Sequence, residues 1–277
     1  MLVNCYICNS SNQSKFVSIE DDISNEIFNI VKCVCGFCYI NPRPSQDEMD
    51  RYYDQPNYHP HSKGGGLLYY IYKLVQKITF RRKFRLMTSF KTGSIEHLDY
   101  GGGDGSFSNY LNRKKNISSL SYDPYYRSSI SREFKTGKYD MITLWHVLEH
   151  SYDLELLFKN LNESLAESGF LYIAVPNIDA YDRDIYMDKW AAYDVPRHLY
   201  HFSHSTLSKI LDKNGYRVIQ KKRMLFDTFY ISLLSSMKIS KVSVIKSIFH
   251  SCLIVIQVLF KGPNYSSSLL YVCQRKK

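Results

Sequence analysis

The chain has 277 residues, an apolar content of 44% and a formal net charge of +10. This length and composition suit the buried core of one medium-sized α/β domain with a small appendage, which excludes a disordered protein. The positive charge favours an anionic partner, such as a phosphate-bearing small molecule, RNA or a membrane surface, or else marks a solvated basic face.

The first residues, MLVNCYICNS, contain no basic region followed by an apolar run. A signal peptide is therefore not expected, and we expect the protein in the cytoplasm. The longest apolar stretch, residues 252–260, is shorter than the roughly 20 residues that cross a bilayer, so a membrane span is not expected either.

The cysteines are concentrated at the start of the chain. In a reducing compartment they are not expected to form disulfides. Cys5-x-x-Cys8 and Cys35-x-x-Cys38 have the spacing of a four-thiolate zinc ribbon, which predicts a zinc-binding module in residues 1–45. Cys33 is an alternative to Cys38 as the fourth ligand, and an iron–sulfur cluster or buried thiols without metal stay open.

Residues 46–92 read as a helical connector. Pro42 and Pro44 end the first module, and Ser45 with Glu48 three residues later has the pattern of a helix start. A second, longer helix rich in aromatic and basic residues is expected after the three glycines at 64–66.

Residues 93–277 alternate between strand and helix patterns. We expect strands at IEHLDY, SLSYD, YDMITLWH, FLYIAVPN, RVIQKKRM and SLLYVCQRK, and helices at FSNYLNRKK, at DLELLFKNLNESLAES up to Gly169, and at TLSKILDKNGY. Strands separated by helices predict an α/β fold with a mainly parallel sheet covered on both faces.

The segment HLDYGGGDGSF, residues 97–107, places four glycines between the first of these strands and a helix. At this place a nucleotide-like ligand can lie against the backbone, and the pattern is Asp99-x-Gly101-x-Gly103-x-Gly105. Asp123, at the end of the next strand, is placed to bind ribose hydroxyls. The dinucleotide pattern G-x-G-x-x-G is not met, which argues against a nicotinamide cofactor.

These motifs, together with YDMITLWHVLEH and AVPN, resemble the class I S-adenosylmethionine-dependent methyltransferases over residues 93–277. The resemblance implies a Rossmann-like sheet and S-adenosyl-L-methionine as cofactor. It also implies that the following residues contact the cofactor: Asp99, Gly101, Gly103, Gly105, Asp123, Trp145 and His146.

One departure from that family lies between Asp123 and Tyr139. The family has a helix and a third strand there, which supplies an acidic residue near the adenine, and residues 124–138 leave too little room for both. This leaves open a non-catalytic binding protein, in which the fold persists and the cofactor site is degenerate.

The acceptor loop is expected at about residues 180–205, over the carboxyl ends of the strands. Its stretch WAAYDVPRHLYHFSHSTL offers His198 as a general base, with His201 and Tyr200 as further catalytic candidates. Tyr193, Asp194 and Arg197 are expected to supply a hydroxyl, an orienting carboxylate and an anion contact. Alternatively, HFSHS only caps the next helix through Ser203 or Ser205.

The segment PRHLYHFS resembles bacterial methyltransferases of polysaccharide and sugar-nucleotide clusters, including sugar C-methyltransferases, in which the base would be His198. Arg197 stands where those enzymes have a glutamate, so the resemblance does not extend to C-methylation. It implies methylation of a hydroxyl on a sugar nucleotide, a glycan or a lipid-linked saccharide in cell-surface polysaccharide biosynthesis, and a zinc ribbon before NPRPS is also found in that group. Glu149 and His150 form a further pair near the cofactor, or Glu149 serves a helix N-terminus.

Other acceptors follow from the same motifs. An RNA methyltransferase of the ribosomal RNA type, some of which carry a zinc ribbon, is the alternative favoured by the positive charge. Amino methylation of DNA bases is disfavoured because LWHVLEH replaces the Asn/Asp-Pro-Pro-Tyr motif. Methylation of pyrimidine carbon 5 is disfavoured because no cysteine lies between Cys38 and Cys252.

Residues 228–262 form an apolar helical insertion with interspersed lysines. Such a segment lies on a membrane surface, packs in the core or forms an oligomer contact, and the sequence leaves these three open.

Overall fold

The computed structural model describes residues 1–53, 67–123, 136, 138–239 and 244–276, and for residues 67–74 it describes the backbone alone. The chain forms two compact units. The first contains Met1–Tyr53, His146–Leu157 and Ile173–Lys277, and the second contains Asp54–Trp145 and Phe158–Tyr172. These bounds cut across the three segments expected at 1–45, 46–92 and 93–277.

The described elements follow one another in an order that begins with strands and then alternates. They are β1 (Gln13–Glu20), β2 (Ile27–Cys33), β3 (Cys38–Ile40), α1 (Gln46–Tyr53), α2 (Leu67–Thr88), β4 (Ile95–Tyr100), α3 (Ser106–Leu111), β5 (Ile117–Tyr122), β6 (Tyr139–Trp145), α4 (Leu154–Ser164), β7 (Leu165–Pro176), α5 (Tyr181–Tyr186), β8 (Tyr200–His201), α6 (His204–Lys213), β9 (Tyr216–Arg223), α7 (Leu225–Ile239), α8 (Val244–Lys261) and β10 (Ser268–Arg275).

The strands form two sheets. The larger has the order β5-β4-β6-β7-β10-β9, and the smaller has the order β1-β2-β3-β8. In the larger sheet β4 is parallel to both β5 and β6, and β9 is antiparallel to β10. The expectation of a mostly parallel, Rossmann-like sheet with flanking helices is confirmed.

Most of the expected strands and helices of residues 93–277 are present, but two helices end earlier than expected. The helix expected at FSNYLNRKK is α3, which ends at Leu111. The helix expected to run up to Gly169 ends at Ser164, and β7 begins at Leu165. The reason is local packing: a Cβ at Gly169 would lie 2.7 Å from the Cδ1 of Leu165. Gly169 is therefore a close-packed strand residue and not the end of a helix.

The second unit carries β4, β5, β6, the start of β7 and helices α2 and α3. The rings of Phe80 and Phe84 on α2 pack on Phe107 and Tyr110 of α3, with centroid distances from 5.2 to 6.5 Å. This aromatic contact fixes α3, which follows the glycine loop, against the connector helix. Within the described part of the chain, no strand lies between β5 and β6, while most of the short region 124–138 falls outside the described residues.

The first unit contains the cysteine-rich N-terminus and the C-terminal half of the chain. β3 pairs with β8 in antiparallel register, with Cys38 opposite His201 and Tyr39 opposite Tyr200. The N-terminal sheet is therefore completed by a strand from the predicted acceptor loop. α1 begins as the sequence predicts, because Ser45 and Glu48 form reciprocal hydrogen bonds at its N-terminus.

Helices α7 and α8 pack as a pair through small polar side chains. Ser236 on α7 donates to Ser247 on α8 over 3.1 Å, and α7 buries Ser232 and Ser235 on the same side as it buries Thr228. Several large apolar side chains of α8 point outward: Ile245, Phe249 and Phe260 are 78%, 63% and 85% exposed, whereas Ile254 and Val258 are buried. α8 has the length and mean hydropathy, 1.7, of a membrane-crossing helix, and only 22% of it is buried. The apolar run at residues 252–260 does not by itself predict a helix of this length, which is twice as long as that run.

Candidate functional site

The glycine loop follows β4 directly, as expected. Gly101 and Gly103 have φ angles of 74° and 54°, which side-chain-bearing residues rarely adopt. Gly102 is needed for a different reason, because a Cβ there would lie 2.2 Å from the Oγ of Ser121 and 2.9 Å from the Oδ2 of Asp99. The loop can therefore fold back on the ends of β4 and β5 only with glycine at these positions.

Asp99 lies beneath the loop and is held by a chain of hydrogen bonds. Thr143 donates to the Oδ1 of Asp99 over 2.6 Å, and the Nε2 of His97 lies 3.0 Å from the same hydroxyl. Since Thr143 has given its only proton to Asp99, the Nε2 of His97 is the donor and its Nδ1 accepts from Ser119. His97 is thus a satisfied core histidine, and burial lowers its pKa to about 3.

The carboxylate of Asp99 is almost fully buried. Burial raises its pKa to about 6, although the hydrogen bond from Thr143 and the positive charge of Lys83 act in the opposite direction. The cost of burying this acid indicates that it is kept for a partner that the folded chain alone does not supply.

Asp123 lies where the sequence places it, just after β5. Its Oδ2 accepts a hydrogen bond from the backbone N–H of Gly103 over 3.0 Å. Asp123 thereby fixes the loop, and its carboxylate is half-buried.

Lys83 and Trp145, in the same unit as the glycine loop, form a contact between a cation and an aromatic ring. The Nζ of Lys83 lies 4.0 Å from the centre of the Trp145 ring and 5.3 Å from that of Phe107. The indole Nε1 of Trp145 is buried and has no hydrogen-bond partner among the described residues. A buried donor without a partner, on a ring that carries a lysine over its face, is a group that a polar ligand could satisfy. Sequence reasoning missed Lys83, since nothing distinguishes it from its basic neighbours on α2.

His146 belongs to the first unit and is tied to two acids. Its Nε2 lies 2.8 Å from Asp227 and its Nδ1 lies 3.2 Å from the Oε1 of Glu149. Burial alone would lower the pKa of His146, but the two hydrogen bonds outweigh it and raise the pKa to about 10. Its φ of 58° is strained for a non-glycine residue. His146 is therefore a charged positioning group for Glu149, and the cofactor contact expected for it stays a prediction.

His198, the expected base, lies in a buried group with Glu149 and His150. Ligand atoms of these three side chains lie within 4.8 Å of one another, and the rings of His150 and His198 meet edge to face at 4.6 Å. The Nδ1 of His198 lies 2.9 Å from the carbonyl oxygen of Ala192, and its Nε2 lies 3.7 Å from Asp194. The expected pair Glu149 and His150 is thus brought together with His198.

Three other residues of the acceptor loop, Arg197, Tyr200 and His201, make contacts within the folded protein. Arg197 is buried and pairs with Asp21 at 3.0 Å and Asp194 at 2.8 Å, so it is not free to bind an acceptor anion. Arg43 donates to the Tyr200 hydroxyl over 3.0 Å in a buried contact.

His201 is 3% exposed, and burial together with the charge of His198 lowers its pKa to about 3. Tyr200 and His201 form β8 and belong to the packing of the N-terminal sheet. The prediction that Ser203 caps the next helix is confirmed, since Ser203 and Thr206 form a capping box at the start of α6.

The N-terminal cysteines form a compact group in which Cys33 takes the place expected for Cys38. The Sγ atoms of Cys5 and Cys35 are 3.5 Å apart, as are those of Cys8 and Cys33, and all four lie within 4.8 Å of one another. A zinc ion with bonds of about 2.3 Å to sulfur fits between four thiols at this spacing. Cys38 lies in β3 instead, where burial raises its pKa to about 11.

The fold and the glycine loop define a Rossmann-like domain with a site for a nucleotide-type ligand. The sequence profile of a methyltransferase domain family matches residues 71–221, and the chain belongs to this family. A comparison with curated proteins gave no match.

Several solved structures are similar to the chain. Phosphoethanolamine N-methyltransferase 2 of Haemonchus contortus, in complex with phosphomonomethylethanolamine and S-adenosylhomocysteine, is 12% identical with a TM-score of 0.46; the match covers 71% of this chain and 53% of that protein. A SAM-dependent methyltransferase of Archaeoglobus fulgidus is 19% identical with a TM-score of 0.44, covering 75% and 99%. An S-adenosylmethionine-dependent methyltransferase of Mesorhizobium loti is 11% identical with a TM-score of 0.41, covering 70% and 97%. The chain thus spans about half the length of the Haemonchus protein.

The residues of the glycine-loop site fit S-adenosylmethionine chemically. That molecule offers ribose hydroxyls and an ammonium group to carboxylates, and a carboxylate to a cation or an N–H donor. Asp99 and Asp123 supply the acceptors, Lys83 supplies the cation, and the unpaired Nε1 of Trp145 supplies a buried donor.

Proposed function

We propose that this protein is an S-adenosylmethionine-dependent methyltransferase. The observation that carries the proposal is the buried Asp99 beneath a loop that only glycines can form, within a chain that belongs to a methyltransferase domain family. When bound, S-adenosylmethionine supplies a methyl group on a sulfonium sulfur.

The roles proposed for the chain's own residues follow from their contacts. Asp123 would accept hydrogen bonds from the ribose hydroxyls while one of its oxygens holds Gly103. Asp99 and Lys83 would receive the ammonium and the carboxylate of the methionine part. Trp145 would cover the site with an aromatic face. All of these act by positioning, which is the main demand of an in-line methyl transfer.

We propose a hydroxyl of a sugar nucleotide, a glycan or a lipid-linked saccharide as the acceptor. Support comes from His198, whose Nδ1 is engaged by the carbonyl of Ala192, so that its Nε2 is left to take the proton of a hydroxyl. Tyr200 and His201 are not part of this proposal, because their side chains are packed in the N-terminal sheet.

We propose zinc as the ion of the four-thiol group formed by Cys5, Cys8, Cys33 and Cys35. Four thiolates close the coordination sphere and leave no open position, which is typical of a structural zinc ion. Its role would be to hold the N-terminal strands together and, through β3 and β8, to fix the loop that contains His198.

We also propose that α8 contacts a membrane surface from the cytoplasm. The support is the number of large apolar side chains that face outward. Ile245, Phe249 and Phe260 are exposed, although Ile254 and Val258 are buried together with Ser247 and Ser251. Such a surface, close to Lys246 and Lys261, suits an anionic lipid interface and would bring the protein to a lipid-linked saccharide.

Calorimetric titration of the metal-replete protein with S-adenosylmethionine and S-adenosylhomocysteine tests the cofactor proposal, with NAD as the negative control. We expect micromolar binding, about −8 kcal/mol, for the first two only. Retained binding would justify an acceptor screen over sugar nucleotides, glycans and RNA. Failure of both ligands to bind would contradict the proposal and favour a binding protein that shares the fold.

The matched variants are Asp123→Asn and Glu167→Gln. Asp123→Asn keeps the size of the side chain but removes the charge at the loop, and we expect affinity to fall by about tenfold or more. Glu167 is an exposed acid of β7 in the same unit, and its replacement is expected to leave the affinity unchanged. Equal affinities in both variants would remove Asp123 from the site.

A further inference from the structure

The group formed by Glu149, His150 and His198 has the composition of a metal site, and the function proposed above uses only one of its members. Glu149 and His150 lie in the short helical turn Leu148–His150 after β6, and His198 lies in the acceptor loop. The backbone N–H of Leu199 donates to the carbonyl of Glu149 over 2.8 Å, which ties the loop to the turn. This backbone hydrogen bond therefore keeps His198 close to Glu149 and His150.

Both histidines are oriented by backbone carbonyl groups. The Nδ1 of His150 lies 3.0 Å from the carbonyl oxygen of Arg197, and the Nδ1 of His198 lies 2.9 Å from that of Ala192. A carbonyl oxygen can only accept, so each Nδ1 carries the proton and each Nε2 has a free lone pair. The hydroxyl of Tyr53, 3.0 Å from the Nδ1 of His150, shares this donor. Carbonyl groups orient metal-ligating imidazoles in the same way.

Glu149 supplies a buried carboxylate oxygen without a partner. Its side chain is fully buried, its Oε1 faces His146 at 3.2 Å, and its Oε2 has no hydrogen-bond partner among the described residues. A buried carboxylate oxygen left unpaired is costly, and a cation beside it removes that cost. His146 holds the Glu149 carboxylate through its Oε1, and the Nε2 of His146 is in turn held by the Oδ2 of Asp227 at 2.8 Å.

We propose that Glu149, His150 and His198 bind a divalent transition-metal ion through the Oε2 of Glu149 and the Nε2 atoms of the two histidines. Two imidazoles and one carboxylate suit zinc, manganese or iron and leave coordination positions open. Asp194, 3.7 Å from the Nε2 of His198, adds a negative charge beside the ion. Arg197 keeps the other oxygen of Asp194 engaged at 2.8 Å, so Asp194 is a neighbour and not a fourth ligand of this set.

The function of this ion rests on the proposed methyl transfer to a hydroxyl. Such an ion would supply Lewis acidity, which would make an acceptor hydroxyl bound to it more acidic and would let the proton pass to solvent. With the ion bound, the Nε2 of His198 is a ligand and does not take the proton. The base role given above then applies to the metal-free protein alone.

The test is a titration of the full-length protein with Mn²⁺, followed by the electron paramagnetic resonance signal of the free ion. Manganese is a suitable probe because thiolates bind it poorly, and the four-thiol group is first filled with about one equivalent of zinc per chain, which leaves the second group metal-free. We expect one saturable site in the wild type. Glu149→Gln and His150→Gln preserve size, and each should weaken binding by about tenfold or more.

The matched control is His204→Gln, which alters a histidine at the start of α6 that stacks on Tyr271 and lies outside the group. It should bind Mn²⁺ as the wild type does. Far-ultraviolet circular dichroism of the metal-free variants shows whether they fold. If Glu149→Gln or His150→Gln does not fold, a second pair of variants, His198→Gln and Asp194→Asn, replaces it in the test. His198→Gln should weaken binding, whereas Asp194→Asn should change it less.

Absence of saturable Mn²⁺ binding by the wild type, or unchanged binding by folded Glu149→Gln and His150→Gln, would overturn the metal proposal. The outcome is separate from that of the methyltransferase proposal, because the titration contains no S-adenosylmethionine. A protein that binds Mn²⁺ but neither cofactor form retains the metal site and loses the function. A protein that binds the cofactor but not Mn²⁺ retains the function, with His198 as the base.

Discussion

Gly102 is the residue at which the loop geometry is most easily tested. A methyl group there would meet the Ser121 hydroxyl at 2.2 Å and the Asp99 carboxylate at 2.9 Å. The Ser121 hydroxyl has no hydrogen-bond partner among the described residues and can turn away, whereas Asp99 is held by Thr143. Gly102→Ala should therefore destabilise the protein by about 1–3 kcal/mol and weaken cofactor binding.

A double-mutant cycle separates the two contacts. Urea unfolding of Gly102→Ala, Ser121→Ala and the double variant would give their free energies of unfolding. Since Ser121→Ala removes one of the two close contacts, the double variant should recover part of the loss. Strict additivity would mean that Ser121 does not limit the space at this position.

Asp99 gives the protein a pH dependence of defined sign. Its pKa is raised from 3.8 to about 6 in the folded state, so the folded protein binds the proton more tightly than the unfolded chain does. Stability should therefore fall as pH rises through this window, by roughly 3 kcal/mol from this residue, and be level above it.

Asp99→Asn removes this contribution, and the difference between variant and wild type isolates it from other titrating groups. Chemical unfolding at about pH 4.5 and about pH 7 should show that the variant gains stability relative to the wild type at the higher pH. Asp182, whose pKa burial also raises to about 6, is the matched control in the other unit: Asp182→Asn should show a similar trend without affecting cofactor binding. A constant difference between Asp99→Asn and wild type would contradict the burial argument.

At the scale of elements, the hairpin of β2 and β3 decides which cysteines meet. The backbone of Gly36, at φ 93°, turns the chain so that Cys33 and Cys35 lie together, and Cys38 enters β3 opposite His201. We expect the wild type to hold about one zinc ion per chain, Cys33→Ser to lose it, and Cys38→Ser to keep it. Metal content after dialysis measures this directly. Zinc loss in Cys38→Ser with retention in Cys33→Ser would restore the ligand set expected from spacing.

Arg197 connects the turn after β1 with the acceptor loop. Both of its carboxylate partners are on the first unit, and the side chains of Arg197 and Asp21 are 6% and 1% exposed. Arg197→Met leaves the Asp21 charge buried and unpaired, so it should cost about 3–5 kcal/mol of unfolding free energy. Arg51→Met, which removes a surface pair with Glu26, should cost much less, because solvent screens an exposed pair. Thermal unfolding of the two variants side by side distinguishes them, and similar losses would contradict the assignment.

These elements show where sequence reasoning succeeds and where it stops. The strands of the larger sheet, the glycine loop, Asp99 and Asp123 follow from local patterns, because periodicity and turn chemistry act within about ten residues. The thiol group that includes Cys33 depends on residues 5–8 meeting residues 33–35. Tyr200 depends on the pairing of β3 with β8, and Arg197 depends on a buried ion pair with Asp21. Each of these contacts joins residues far apart in the chain. The spacing of the cysteines is compatible with either Cys33 or Cys38 as the fourth zinc ligand. The local sequence around Tyr200 does not distinguish a strand from an acceptor loop.

At the scale of the whole molecule, the net charge of +10 and the outward apolar face of α8 point to the same kind of surface. Large apolar side chains left exposed on one helix are unusual for a soluble monomer. The protein should float with vesicles that contain anionic lipid, and less with neutral vesicles, since the lysines add an attraction to the anionic headgroups.

The double variant Ile245→Glu/Phe249→Glu places two charges on an exposed part of this face and should abolish flotation. Leu156→Glu, at a half-exposed apolar position on α4, is the matched control and should float as the wild type does. Light scattering of the protein without vesicles tests the alternative, in which the exposed face of α8 is an oligomer contact. A wild-type dimer that Ile245→Glu/Phe249→Glu converts to a monomer, together with no flotation of either protein, would assign α8 to an oligomer contact and overturn the membrane proposal.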